Sequence, residues 1–235
     1  NKLGGKSKGI YKSLNCGIGS SDKKKDILSN LKTVIRKINT RPKKIILLNQ
    51  IHSSKFYYID KKNKFIKKKF SGDAIITNKK KTPIGVLTAD CAPILIHDQK
   101  NKMVAAIHAG WKGAYRGVIK NVIKFMLKKG CDTETMTAVI GPCISTKNYQ
   151  VKQDFIKKIL KKDKKNKIFF KKIKNKTYFN LNSYIYSQLK SLNIKNIEII
   201  NKDTFNEKNN FFSARRSIGR NENDYGRNIS IIMIN

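Results

Sequence analysis

Thr88-Ala89-Asp90-Cys91-Ala92-Pro93-Ile94-Leu95-Ile96-His97 runs through Asp98-Gln99-Lys100-Asn101-Lys102 into Met103-Val104-Ala105-Ala106-Ile107-His108. Two apolar segments flank a polar turn, which predicts an antiparallel hairpin. With the turn centred near Lys100, residues whose numbers sum to about 200 face one another. Cys91 and His108 then become cross-strand neighbours, with Cβ atoms about 5 Å apart. That spacing suits a shared metal ion, whose Zn–S and Zn–N bonds are about 2.3 and 2.0 Å. His97 falls near the turn, about six residues and ~20 Å from Cys91 along the strand, and is not expected to be a ligand.

A third ligand is expected from His52, which ends the apolar run Ile45–Ile51 at Asn49-Gln50-Ile51-His52. A strand end can aim such a side chain into a cleft. Two imidazoles and a thiolate suit zinc and leave a fourth position open, where zinc can lower the pKa of a bound water toward ~7. That water is the only catalytic group the residues point to. Asp90 beside Cys91, and Asp73 after Gly72, are candidate groups behind the ligands or against substrate.

Working outward, the periodicity predicts a helix over 22–38 with Ile27, Leu28, Leu31, Val34, Ile35 and Ile38 on one stripe, capped by Ser20, Ser21 or Asp22. Strands are expected at 44–49, 56–59, 73–77, 84–89, 92–97, 103–108, 136–140, 197–200 and 229–234. Helices are expected at 113–129, 151–161 and 182–192, the first with Val118, Ile119, Val122, Ile123 and Met126 inward. Asp60 to Lys69 reads as a lysine-rich turn or hairpin, and 161–176 as a low-complexity surface excursion. Strands occur both as neighbours and alternating with helices, so the expected fold is α/β of the α+β type, with mixed sheets flanked by helices, in one domain over 1–235.

The chain has 235 residues, 39% apolar and 29% charged, a globular balance with no apolar run long enough to span a bilayer. Its formal charge is +37, which attracts phosphate non-specifically. The basic residues are mostly lysine, with arginine only at Arg36, Arg41, Arg116, Arg215, Arg216, Arg220 and Arg227. The lysines are spread along the whole chain beside abundant Asn and Ile, a pattern that A/T-rich codons produce. No nucleic-acid motif accompanies them, so a solvated lysine coat is expected rather than specific nucleic-acid binding. Asn1 to Gly9 is followed by no apolar h-region and does not read as a secretory signal. A cytoplasmic, reducing location, no membrane association and a monomeric state are the resulting expectations. Cys16, Cys131 and Cys143 are then structural thiols, with Cys143, after Gly141-Pro142, nearest a cleft.

Gln50-Ile51-His52, Gly72-Asp73-Ala74, Thr88 to Pro93, His108-Ala109-Gly110-Trp111-Lys112-Gly113, Gly141-Pro142-Cys143-Ile144, Tyr149-Gln150-Val151 and Phe211-Phe212-Ser213-Ala214-Arg215-Arg216 occur in this order. With Ser13-Leu14-Asn15, they resemble the laccase-domain family, also called the polyphenol oxidoreductase or bacterial purine nucleoside phosphorylase family, over nearly the whole chain. The resemblance implies a metal on His52, Cys91 and His108, the trio reached from the hairpin and the strand end. It implies phosphorolysis of adenosine, inosine, guanosine and methylthioadenosine, with adenosine deamination, and hence nucleoside and phosphate as small-molecule partners. The family's laccase name implies copper oxidation of phenols instead, and a link to peptidoglycan implies editing of a cell-wall precursor. Three histidines fit multicopper chemistry poorly.

For phosphate the candidates are Arg116, Arg215 and Arg216; the last two, adjacent on an expected strand, would face opposite ways. Gln50 is a candidate for base or ribose. The chain departs from the family pattern at Asn49, Ser53, Lys112, Asn180 and Asp203, none of them an expected metal ligand.

Overall fold

The computed structural model describes residues 1–38, 42–60 and 70–235. In chain order the elements are α1 (Lys24–Arg36), β1 (Phe56–Ile59), β2 (Ala74–Thr77), β3 (Ile84–Thr88), β4 (Ala92–Asp98), β5 (Met103–Ala109), α2 (Trp111–Arg116), α3 (Val118–Lys128), β6 (Met136–Ile140), β7 (Gln150–Val151), α4 (Gln153–Lys162), β8 (Phe170–Ile173), β9 (Lys176–Phe179), α5 (Leu181–Ser191), β10 (Asn196–Ile199), α6 (Ala214–Gly219) and β11 (Asn228–Ile232). The expected mixed α/β class holds. Six strands form one sheet in the order β1-β2-β5-β4-β6-β10, β11 pairs with β3, and β7-β9-β8 make a third sheet.

The β4–β5 hairpin forms the middle of the large sheet because both strands are apolar on both faces. Met103, Ala105 and Ile107 of β5 join Ile94 and Ile96 of β4 in a core with Val118, Ile119, Val122 and Met126 of α3. The alternate residues Val104 and Ala106 pack on the other face with Ile84 and Val86 of β3. By this period-two rule, Asp73 shares a face with Ile75, Cys91 with Leu95, and His108 with Ala106. All three therefore aim toward the β3–β11 side.

The observed register pairs Pro93 with His108 and Ala92 with Ala109, a sum of 201 where a direct Cys91–His108 pair needs 199. One further step sets Cys91 opposite Gly110, so His108 is its diagonal neighbour, two residues off and on the same face. Diagonal pairs still reach one another with long side chains.

Several elements differ from expectation. Residues 44–49 make only the isolated bridges Ile46 to Ile84 and Asn49 to Ser71, because the Gln50 side chain, rather than a continuing ladder, holds this stretch to β3. The 113–129 helix is two helices, broken where Gly117 adopts φ +88°, a left-handed conformation that glycine accepts at no steric cost. In α1 no side chain caps the N-terminus and Leu28 is exposed.

Within 161–176 the chain forms β8 and the start of β9, since Phe169 is buried and Phe170 packs 5.1 Å from Phe179. Arg215 and Arg216 lie on α6 instead of a strand. Apart from Asp60, the lysine-rich 60–69 stretch falls outside the described residues.

Candidate metal centre

His52, Cys91 and His108 come together with donor atoms all within 4.8 Å of one another. A tetrahedral zinc with bonds of about 2.3 and 2.0 Å would separate its sulfur and nitrogen donors by about 3.5 Å, and Cys91 Sγ lies 3.8 Å from His52 Nε2. The donor set and spacing fit a transition-metal ion. His97 stays away on β4, beside Val104 and Thr137.

Each candidate ligand arrives by a different local device. His108 is a β5 residue, only 4% exposed. Cys91 follows Asp90, whose φ of +80° turns the chain sharply between β3 and β4. His52 also has positive φ, 55°, in a loop with no strand to hold it. Its conformation is set instead by Asp73, a fully buried carboxylate. Asp73 Oδ1 accepts from His52 N at 2.9 Å and pairs with His108 Nδ1 at 2.9 Å. Its Oδ2 accepts from Ile51 N at 3.4 Å, Ser53 N at 2.5 Å and Ser53 Oγ at 2.7 Å. One carboxylate thus orients both histidines, leaving Nε2 of His108 for the cluster. Arg116 supports the same loop, donating to His52 O at 2.8 Å.

Electrostatics follow from this packing. Burial alone would raise the Asp73 carboxyl, but the hydrogen bonds of His108 and Ser53 together hold it down to about 2. Burial also pushes the Cys91 thiol up; the charge and hydrogen bond of His108, with a hydrogen bond from His52, bring it down to about 6. Burial disfavours charge on His108, yet Cys91 and Asp73 lift it to about 9. Both shifts run in the direction that favours a thiolate beside an imidazolium when no metal is bound.

Gly110 makes the approach possible. A Cβ there would sit 2.6 Å from Cys91 Sγ and 3.1 Å from His52 Cδ2, so no larger residue fits without moving the thiolate.

The three ligands open into a cavity of about 340 Å³, within the range of small-ligand sites. Ile18, Leu47, Leu48 and Leu87 give it apolar wall, and Tyr225 and Arg227 complete it.

The remaining expected residues are placed as follows. Gln50 lines the cavity, but its amide is spent on the backbone of Leu87, donating to the carbonyl at 2.6 Å and accepting from the N–H at 2.7 Å. Asp90 turns away from the metal group to accept from Thr204 Oγ1 at 2.7 Å, Ser213 Oγ at 2.9 Å and Arg215 N at 2.7 Å. Burial outweighs those bonds and raises its carboxyl. Arg216 is only 10% exposed and serves the carbonyls of Thr204, Phe205 and Phe211. Arg215 donates to Gln150 O at 3.1 Å and lies over the Tyr149 ring. Neither arginine lines the cavity.

All four cysteines are free; Cys143 is buried against Asn182 and Cys16 is pushed up to about 12 by burial. Among the departures from the family pattern, Ser53 binds Asp73 and Asn49 binds Ser71. Asp203 holds Ser145 and Asn148 elsewhere. The sequence reading passed over Tyr225 and Arg227, which reach the cavity from the far C-terminal end and carry no local spacing signal.

The family model of the multi-copper polyphenol oxidoreductase laccases matches residues 1–235. The chain belongs to that family. Among relatives of this laccase-like chain is a purine nucleoside phosphorylase of Haemophilus influenzae, 34% identical over 232 residues, covering 97% of this chain and 90% of that one. A purine nucleoside phosphorylase of Rickettsia prowazekii is 33% identical over 194 residues, 82% of this chain and 78% of its own. A Neisseria meningitidis protein of the DUF152 family, 29% identical, superposes with a TM-score of 0.87 over 100% of this chain and 92% of its own. Among the described residues no helix is long and apolar enough to cross a membrane.

Proposed function

We propose that this chain is a zinc-dependent purine nucleoside phosphorylase that cleaves adenosine, inosine, guanosine and methylthioadenosine, with adenosine deamination as a second reaction of the same site. The observation that carries this is the placement of His52, Cys91 and His108 at a ligand-sized cavity with a partly apolar wall. The relatives named as purine nucleoside phosphorylases at 33% and 34% identity favour the nucleoside over a phenol. In phosphorolysis a phosphate oxygen bonds to ribose C1′ as the C1′–N9 bond breaks. Its electron pair goes to the base, which leaves after taking a proton. In deamination water adds at C6 of adenosine and ammonia departs, giving inosine.

When bound, zinc supplies a Lewis acid beside the nucleoside. The chain's own residues do the rest. His52, Cys91 and His108 hold the ion, and Asp73 orients both imidazoles so that their donor atoms converge. Ile18, Leu47, Leu48 and Leu87 offer apolar surface to a planar base and displace water from it. Gln50, through Leu87, keeps that wall in register. A cytoplasmic location and a monomeric state belong to the same reading; light scattering on purified protein checks the latter.

The test is phosphate-dependent release of free base from purified, zinc-loaded protein, with elemental analysis alongside. About one zinc per chain and turnover that disappears in C91A and H52A protein that still folds would support the proposal. Absence of turnover with every purine nucleoside, or oxygen uptake with phenols on a copper-loaded site, would overturn it.

A further inference from the structure

The chain carries 52 lysines and arginines, yet of the described residues lining the metal-centre cavity only Arg227 is one of them. The other candidate arginines, Arg116, Arg215 and Arg216, do not line this cavity. We propose that Arg227 is the substrate-binding residue that holds inorganic phosphate in the cavity beside the metal centre. The inference deepens the phosphorylase reading and rests on it.

The local structure presents this guanidinium with little freedom. The Arg227 backbone is pinned by Asn15 Oδ1, which accepts from its N–H at 2.9 Å, and by Cys16, whose N–H donates to its carbonyl at 3.1 Å. Its stem lies against bare Gly17, where a Cβ would come within 2.9 Å of Arg227 Cδ. The guanidinium carbon stands 4.7 Å from the centroid of the Tyr225 ring, and Nη1 donates to Tyr225 O at 3.1 Å. Asp224 forms an ion pair with Nη2 at 3.7 Å, beyond hydrogen-bond distance, so it steadies the guanidinium without taking up its N–H donors.

A stacked, oriented arginine partly shielded from solvent is suited to a phosphate, whose oxygens match the planar fork. A cavity that must hold a dianion next to a nucleoside needs such a charge, because burying the anion unpaired is costly. Exposed lysines outside the cavity attract phosphate diffusely and are screened by salt.

The experiment compares zinc-loaded wild-type, R227Q, R227K and G17A protein of verified metal content and melting temperature. Inorganic phosphate is titrated by calorimetry at fixed ionic strength, and the phosphate and nucleoside KM values are measured separately. R227Q is expected to weaken phosphate roughly tenfold or more while nucleoside affinity changes less than about threefold, and R227K to recover part of it, because lysine keeps the charge but not the fork. G17A should show an intermediate loss with the arginine still present.

Unchanged phosphate affinity in R227Q would overturn the proposal, as would parallel loss of phosphate, nucleoside and melting temperature. Loss confined to a nucleoside 5′-monophosphate, with inorganic phosphate unaffected, would likewise overturn it. If R227Q does not fold, R227K and G17A decide by the same split. If no nucleoside is cleaved, the phosphorylase reading fails; saturable phosphate binding lost in R227Q would still place an anion site at Arg227, and its persistence would remove it.

Discussion

Asp73 and Asp90 stand at two ends of the same corner, one beside β2 and one in the β3–β4 turn, and both are buried. Their carboxyls nevertheless move in opposite directions, Asp73 down to about 2 and Asp90 upward. Both feel desolvation; the difference is the donors. Asp73 faces an imidazole able to carry positive charge, with Ser53 adding bonds to the anion. Asp90 faces two hydroxyls and one backbone N–H, with the Arg216 cation farther off, and together these do not offset its burial. Position alone therefore does not identify a functional carboxylate. Asp73 orients the two histidines of the candidate metal group, while Asp90 ties the Cys91 turn to the first turn of α6.

The largest effect is expected for D73N. Both oxygens of Asp73 accept backbone N–H groups, so an amide NH₂ in either orientation would face donors. Leaving such groups unpaired costs about 1–3 kcal/mol, and losing the carboxylate behind a metal-bound histidine weakens metal affinity about 10–100-fold. Denaturant melts and competition with a chelator measure the two effects. Wild-type metal affinity in D73N would abolish the distinction between the two aspartates.

G110A comes next. The added methyl meets Cys91 Sγ at 2.6 Å, so metal binding should fall steeply while the fold, read by far-UV circular dichroism, persists. Retained affinity would mean the thiolate can move without loss.

The acid–base behaviour gives an intermediate test. In metal-free protein Cys91 is lowered to about 6 and His108 raised to about 9. Between these values metal must displace the His108 proton, so affinity should rise with pH about tenfold per unit and level off above about 9. Stability of the metal-free chain carries two opposed contributions at the alkaline end. That of the raised His108 is present below about 6.5 and lost as pH rises through 9, while that of the lowered Cys91 is present above 9 and lost as pH falls through 6. The two offset, so the span between is nearly flat. The depressed Asp73 contributes above about 4 and loses it as pH falls through 2. Thermal melts of the metal-free chain check the acid slope and the flat alkaline span, and thiolate absorbance checks Cys91.

The smallest effects belong to Asp90. D90N can still accept from Arg215 N and Ser213 Oγ with its carbonyl while its NH₂ donates to Thr204 Oγ1. It should stay within about 0.5 kcal/mol of wild type and keep its metal. D90A removes all three contacts and should cost about 1–3 kcal/mol. A D90N chain that loses metal would place Asp90 with Asp73 after all.

Apolar segments split by Asp98 to Lys102 were enough to determine the hairpin. Because the observed register sum of 201 differs by two from the 199 of a direct Cys91–His108 pair, period-two alternation keeps the two on one face as diagonal neighbours, whereas a slip to 200 would have parted them. The α3 stripe followed from helical periodicity in the same way. These are local rules, fixed by dihedral geometry within a few residues. What failed depended on distant partners: 44–49 lacks a ladder because Gln50 takes over its pairing to β3, and β8 forms because Phe169 and Phe170 find aromatic neighbours far along the chain.

The arginines divide by the same principle. Adjacent Arg215 and Arg216 had a motif to recommend them, yet tertiary packing commits both to backbone carbonyls. Arg227 had none and reaches the cavity. Sequence by itself determined the hairpin and singled out the three residues whose donor atoms converge, because a polar turn between apolar runs is a local feature of the chain. Only the tertiary structure decided which carboxylate orients those donors and which arginine shares their cavity, because burial and hydrogen-bond partners are assigned when remote segments pack.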